Sequence, residues 1–389
     1  MLTGQGADKK SGKDDIRQYF PGLPRRITVN QILEDSDMLS IEGDHIDALH
    51  YSHVVDYDCD AFTDSGNLLF KFRKGAISQR AMLKATAALV RVAKPSRNKN
   101  RGAASGPLDR DLMPDYVGEF VRPQKFRTKY TSTVSGVDSK QWISNAVSSN
   151  IMGFYDKPDR NRMQGKPDSA VPLSTTALKC RKTAFTRDHS GLWNTTLPLL
   201  TEIDNKFKEL MSDRHSVQRA RCQATPEFAI GDTAFSTCTV NYSFRTATHK
   251  DSGDFEDGFG TLVVVEDKRN PNAYDGCFTG FPQYGVAVDV RHGDFLAMDV
   301  HQYHCNTEFS AVAVGASATE TSDKNASAKA GGAARRFNRM AIVAYLRSDM
   351  LKCAKSSVTF HPQCTARTKV KPTPPHLRTS APPRRSITT

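Results

Sequence analysis

His249 and Asp251 stand two residues apart in "NYSFRTATHKDSGDF" (241–255), straight after a run that reads as a β-strand. Residues i and i+2 of an extended chain share a face, so an imidazole and a carboxylate at that spacing can converge on one object. That object is a metal ion, a proton in transit, or only each other. In "FSTCTVNYSFRTATHKD", Cys238, Val240, Tyr242 and Phe244 occupy one face. Thr239, Asn241, Ser243, Arg245, Ala247, His249 and Asp251 occupy the other, provided that the strand runs on without a bulge. A polar face inside a β-rich region suits a wet cavity or a site, and Asn241, Ser243 and Arg245 are candidates to line it. Further on, "YGVAVDVRHGDFLAMDVHQYHCNTEF" gives two apolar strands about a turn at His292–Asp294, then His301 and His304. "RFNRMAIVAYLR" is one more strand, with Arg339 at its start.

Two histidines and one carboxylate form the donor set that leaves three positions on non-haem Fe(II) open for a co-substrate and O2. An arginine is what a dicarboxylate co-substrate needs, because its planar fork grips a carboxylate bidentately. The same donors could hold zinc with an open position, but no H-E-x-x-H and no obvious general-base glutamate accompanies them. Taken singly, each residue has a bland reading: a surface H-x-D pair, strand-end histidines satisfied by backbone, an arginine bridged to a surface acid. The ordered set on strands, with a polar face behind it, carries the weight.

Other segments read as the frame around these groups. From Phe228 to Tyr345, short strands alternate with turns, the pattern of a barrel or sandwich. It is interrupted at 310–334 by an Ala/Ser/Gly-rich low-complexity loop. "LWNTTLPLLTEIDNKFKELMSD" reads as an amphipathic helix, with Pro198 in its first turn and Leu199, Ile203, Phe207 and Leu210 on one face. "HIDALHYSHVVDYD" and "NLLFKFRKGAI" read as strands about a turn at Thr63–Asn67. "SQRAMLKATAALVRVA" has helical spacing at Met82, Leu83, Ala87 and Val90. "FPQYGVAV" offers Phe281 and Tyr284 as a core pair or as a stacking surface for a flipped base.

The chain of 389 residues carries a net charge of +12 with 38% hydrophobic residues, so some segments stay unpacked and a polyanionic partner is favoured. Lys71–Leu108 holds ten Lys and Arg and no acid. It is either a solvated helix and linker or a phosphate-contacting surface. Eight scattered cysteines without C-x-x-C speak against a thiolate zinc site and a small disulfide-stapled domain. No apolar leader or span of about 18 apolar residues is visible, and a reducing intracellular compartment is the expectation. The expected organisation is a disordered arm at 1–25 and a strand/helix segment with a basic linker at 40–110. A β-rich catalytic domain follows at 115–353, and 354–389 is a basic, Pro-rich tail.

At "NYSFRTATHKDSGDFEDGFGTLVVV", "GDFLAMDVHQYHCNTEF" and "NRMAIVAYLR" the chain resembles the TET/JBP group of 2-oxoglutarate- and Fe(II)-dependent dioxygenases, over roughly 180–350. The resemblance implies an α+β fold built on a double-stranded β-helix, with flanking helices. It implies oxidation of the 5-methyl group of 5-methylcytosine or thymine in DNA, using Fe(II), O2 and 2-oxoglutarate, with ascorbate as an alternative co-substrate. By motif position it makes His249, Asp251 and His304 the iron ligands, His304 through the H-x-N element "HCN" and with His301 as the competing residue. Arg339 matches the arginine that grips 2-oxoglutarate. DNA, or RNA, is then the expected partner and the nucleus the expected location. A same-fold hydroxylase of protein side chains and a non-catalytic nucleic-acid-binding relative are the other readings.

Overall fold

The computed structural model describes residues 22–93, 97–114, 116, 120–132, 139–156, 180–266, 274–311, 339–350 and 352–353. The expected C-terminal tail lies outside these, as do nearly all of the N-terminal arm and the low-complexity insertion.

Strands β1 (Arg25–Val29), β2 (His53–Val55), β3 (Cys59–Thr63) and β4 (Leu68–Arg73) come first. They are followed by β5 (Arg97–Asn98), β6 (Phe120–Val121), β7 (Thr128–Ser132), β8 (Ser139–Ile143), β9 (Val147–Tyr155) and β10 (Arg181–Lys182). The remainder are β11 (Thr237–Tyr242), β12 (Gly260–Glu266), β13 (Tyr274–Gly276), β14 (Thr279–Phe281), β15 (Val286–Val288), β16 (Phe295–Met298), β17 (Cys305–Asn306), β18 (Phe309–Ala311) and β19 (Arg339–Tyr345).

The main sheet runs β1-β3-β4-β16-β12-β19-β11-β9-β10, and a smaller sheet runs β17-β14-β15-β2. From β11 onward the chain alternates between the two. β11, β12, β16 and β19 lie in the main sheet and β14, β15 and β17 in the smaller one, with the His249 segment bridged to His304 beside β17. That alternation is the winding of a double-stranded β-helix, and with the helices behind the main sheet the class is α+β. β1, β3 and β4 extend the main sheet at the β16 edge, so the N-terminal segment is built into the same sheet.

Side-chain alternation divides the core in two. One face of β11, β12 and β19, bearing Cys238, Val240, Tyr242, Val263, Val265, Ile342 and Ala344, packs on the helices Gln79–Ala93 and Ser190–Leu210. The opposite face, with Leu262, Val264, Leu296 and Met298, meets Phe281, Val286 and Val288 of the smaller sheet. Burial on both faces explains the continuous apolar run of "GTLVVVE".

Two local expectations need correction. The helix begins at Ser190, so Pro198 is interior rather than in the first turn. Burial of Leu199, Leu200, Ile203 and Phe207 outweighs the missing backbone bond, which costs about 3 kcal/mol in an unsupported helix. In Gln79–Ala93 the buried face is Ala81, Met82, Ala85, Ala88, Leu89 and Val92, while Leu83 is 51% exposed. The helix carries small apolar residues all round, and its alanines allow close approach to the neighbouring helix. Phe281 is fully buried and stacks on Phe70 at 5.4 Å, and Tyr284 bonds to Gln302, so both belong to the core between the sheets.

Cys180 and Cys353, 173 residues apart in sequence, form a buried disulfide. Spacing alone could not reveal that pair. The other described cysteines are free and buried.

Candidate metal centre

Ser243 adopts φ 42° and ends the alternation of β11; its N–H donates to the Arg339 carbonyl at 2.7 Å. The chain then doubles back beside β17. Thr246 Oγ1 donates to Asn306 Oδ1 at 2.8 Å, and the Asn306 N–H donates to the Thr246 carbonyl at 2.9 Å. One step on, His249 and His304 exchange both backbone bonds, each at 3.0 Å, and the Asp251 N–H reaches the Val300 carbonyl at 3.0 Å. The H-x-D and H-x-N motifs are therefore neighbouring rungs of one ladder.

That ladder brings one ligand atom from each of His249, Asp251 and His304 within 4.8 Å of one another. His249 Nε2 lies 3.8 Å from Asp251 Oδ1, and His304 Nε2 lies 3.8 Å from Asp251 Oδ2. The other ring nitrogens are committed. His249 Nδ1 donates to the Ala247 carbonyl at 2.8 Å, and His304 Nδ1 to the Gln302 carbonyl at 2.9 Å. A carbonyl only accepts, so each Nδ1 carries a hydrogen and each Nε2 is left facing the carboxylate. Burial, reinforced by His304, lowers the His249 pKa from 6.5 to about 4, so the ring is neutral at pH 7. Burial opposes the charge of Asp251, yet His249, His304 and Arg101 together hold its pKa below the ordinary value. Two imidazoles and a carboxylate, spaced for bonds of about 2.1 Å to a common ion, fit a divalent metal.

The cluster stands in a cleft of about 1190 Å³. Thr239 and Asn241 from β11 and Ala341, Val343 and Tyr345 from β19 line one wall, and Tyr345 Oη bonds Thr239 Oγ1 at 2.9 Å. The rim is cationic: Arg97, Lys99, Arg101, Arg127, Arg181, Lys250 and Arg347 face Asp251 and Asp254 alone among acids. Burial first, then Asp251, pushes Asp254 well above the usual carboxylate range.

Arg339 opens β19 with the parity of Ala341, Val343 and Tyr345, which line the cleft, but does not itself line it. It is 2% exposed, and its Nε and Nη2 have no hydrogen-bond partner among the described residues. A buried guanidinium with two donors that meet no acceptor among the described residues can take an incoming carboxylate.

The sequence-derived candidates thus divide. His249, Asp251 and His304 come together. His301 points elsewhere, its Nε2 3.3 Å from the Phe255 carbonyl. Asn241 reaches the cleft; Ser243 and Arg245 do not line it, because the turn at Ser243 breaks the parity, and Arg245 bonds Asp47 and the Asn306 carbonyl instead. Arg101, Arg347 and Tyr345 were not foreseen at the site. Arg101 enters from the basic tract, and its Nε is buried without a hydrogen-bond partner among the described residues. Arg347 is clamped by Asp156 at 2.9 and 3.2 Å. The alternation in "RMAIVAYLR" was the available signal for Tyr345 and Arg347, since both share the parity of Arg339.

Residues 173–348 match the family model Tet_JBP, the oxygenase domain of the 2OGFeDO superfamily. Thymine dioxygenase JBP1-B of Trypanosoma cruzi (strain CL Brener) is 31% identical over 213 residues, 54% of this chain and 22% of that protein. Thymine dioxygenase JBP1 of Trypanosoma brucei brucei is 34% identical over 165 residues, 42% of this chain and 17% of that protein. The chain therefore spans about a fifth of the length of these curated relatives. Among solved structures, NgTET1 in complex with 5mC DNA aligns with a TM-score of 0.42 and 9% identity, covering 84% of this chain and 83% of that one.

Proposed function

We propose, from the match of residues 173–348 to the Tet_JBP oxygenase-domain model, that this protein is an Fe(II)- and 2-oxoglutarate-dependent dioxygenase that hydroxylates the 5-methyl group of a pyrimidine in DNA. The observation that carries the proposal is the His249–Asp251–His304 cluster, with both Nε2 atoms turned to one carboxylate inside a cationic cleft. The matched relatives bear the name thymine dioxygenase, which makes thymine the first base to test and 5-methylcytosine the second. A DNA substrate makes the nucleus the place of action.

In this reading His249, Asp251 and His304 hold the iron. Bound Fe(II), with O2 and the 2-oxoacid, supplies the oxidising power to hydroxylate an unactivated methyl C–H. The protein's own work is placement and exclusion. The Ala247 and Gln302 carbonyls lock the two imidazoles in one tautomer and one orientation. Arg339 receives the distal carboxylate of 2-oxoglutarate at the foot of β19. A base cannot reach the cluster from within a duplex, so it must swing out of the stack. The Tyr345 ring, fixed by Thr239, gives its plane a wall to lie against. Arg101 and Arg347 bring positive charge beside the cluster, where an anionic substrate must approach.

The test is mass spectrometry of nucleosides from thymine- and 5-methylcytosine-containing duplexes incubated with protein, Fe(II), O2 and either 2-oxoglutarate or ascorbate. The expected product is the 5-hydroxymethyl nucleoside, formed with 2-oxoglutarate and abolished in Asp251→Ala. Unaltered bases under every condition would defeat the proposal.

A further inference from the structure

One surface of the molecule is left unused by this chemistry. Strands β6, β7 and β8 form a separate antiparallel sheet with two unlike faces. On the inner face Tyr130 packs edge-on against Tyr116 at 4.7 Å and Phe120 at 6.4 Å, beside buried Thr128 and Ile143. On the outer face Lys129 stands directly across from Trp142 in the β7–β8 register. The Arg127 guanidinium lies 4.7 Å from the Trp142 ring centre and the Lys129 ammonium 5.2 Å from it. Trp142 is 39% exposed.

Neither cation meets a carboxylate among the described residues; Arg127 donates only to the neutral Gln124 Oε1, at 2.7 Å. Two positive heads gathered on one indole repel each other, and an anion between them relieves the repulsion. The indole also orders two long side chains in advance, which lowers the entropy lost on binding. The face is continuous with the metal cleft. Arg127 lines that cleft as well, and the Ser144 N–H, just beyond β8, donates to the carbonyl of the cleft residue Lys99 at 2.9 Å.

We propose that this outer face seats the phosphate backbone of the DNA strand next to the reacting nucleotide, with Arg127 and Lys129 as phosphate contacts and Trp142 as the plate that holds them. The inference rests on the function proposed above and adds where the substrate is gripped. Contact with phosphate positions the strand without reading its sequence.

Fluorescence anisotropy against salt, with steady-state kinetics on a methylated duplex, tests it in Arg127→Gln/Lys129→Gln, Trp142→Ala and Trp142→Phe. All three sites are at the surface, and a thermal melt matching the parent protein verifies each fold. The double variant should flatten the log–log salt slope by about two units, at ~0.9 per lost contact. It should raise KM roughly tenfold with kcat nearly kept, equally for methylated and unmethylated binding. Trp142→Ala should weaken binding about two- to fivefold, with Trp142→Phe recovering part of the loss. Unchanged slopes, or losses confined to methylated sequence, would overturn the inference. If the parent oxidises DNA while the variants bind as it does, this surface alone is wrong. If the parent binds DNA through these residues yet oxidises no base, the proposed activity fails and the surface stands.

Discussion

Arg339→Met isolates the co-substrate assignment. The guanidinium is 2% exposed, with Nε and Nη2 unpartnered. Burial works against its charge, but Cys277, Tyr274 and Glu266 more than offset that and keep it protonated. A carboxylate entering this site gains two charge-assisted bonds in a desolvated setting. At about 1.5–3 kcal/mol each, discounted for the water both partners give up, their loss costs ~3–4 kcal/mol. One decade per 1.36 kcal/mol makes that a rise of roughly 10²–10³ in KM for 2-oxoglutarate. A second measurement needs no turnover. At 100 Kd a ligand stabilises the fold by about 2.7 kcal/mol, so 2-oxoglutarate with Fe(II) should raise Tm by several degrees in the parent. With Fe(II) present throughout, adding the same concentration of 2-oxoglutarate should leave the variant's Tm nearly unmoved. A KM within twofold of the parent together with an equal Tm shift would refute the assignment of Arg339 to the co-substrate.

Three further outcomes follow from the cluster and its surroundings. His249→Ala, Asp251→Ala and His304→Ala should each abolish stoichiometric Fe(II) binding and turnover while the melt is kept, whereas His301→Ala should retain both; elemental analysis of the four variants decides it. The metal-free protein should lose stability as pH falls from about 6.5 to 4, because the unfolded chain takes up a proton on His249 that the folded one refuses. That contribution is complete above pH 6.5 and on the order of 2–3 kcal/mol. His249→Gln should therefore show a shallower fall in urea midpoint between pH 7.5 and 4.5, and an identical profile would contradict the buried neutral ring. The bridge from Cys180 to Cys353 closes 173 residues of chain, a constraint worth up to about 5 kcal/mol. Reductant should lower the parent's Tm and spare Cys180→Ser; equal responses would mean that the bridge does not form in solution.

The parts legible in sequence were those governed by short-range periodicity. The alternation in "CTVNY" gave the two faces of β11, and Thr239 and Asn241 do face the cleft. Parity failed at Ser243, whose positive φ no simple alternation rule anticipates in a serine. His249 nonetheless reaches the cleft, because the returning segment is re-registered by Thr246 and Asn306. The choice between His301 and His304 was beyond spacing, since it depends on which residue sits opposite His249. Contacts across long separations were the least visible. Nothing local in "RNKNR" tells that Arg101 ends beside the metal cluster, or that "YLR" ends on an arginine clamped by Asp156. Lys71, read as part of a phosphate-facing tract, instead sits in β4 and pairs with Asp60 across the strand.

His249 and His304 hold each other through both of their backbone amides, at 3.0 Å each way. Ion release and local opening of the chain are thereby linked at one rung. While an ion sits between the two rings, the rung cannot part without breaking a coordinate bond, so hydrogen exchange at those two amides should slow in proportion to metal occupancy. Thr246 and Asn306 are outside the His249–Asp251–His304 cluster, but they close the next rung with a hydroxyl-to-amide bond at 2.8 Å, and Thr246→Val should speed exchange at the two histidine amides. The stiffness of the proposed metal site is thus adjustable from a position outside the cluster.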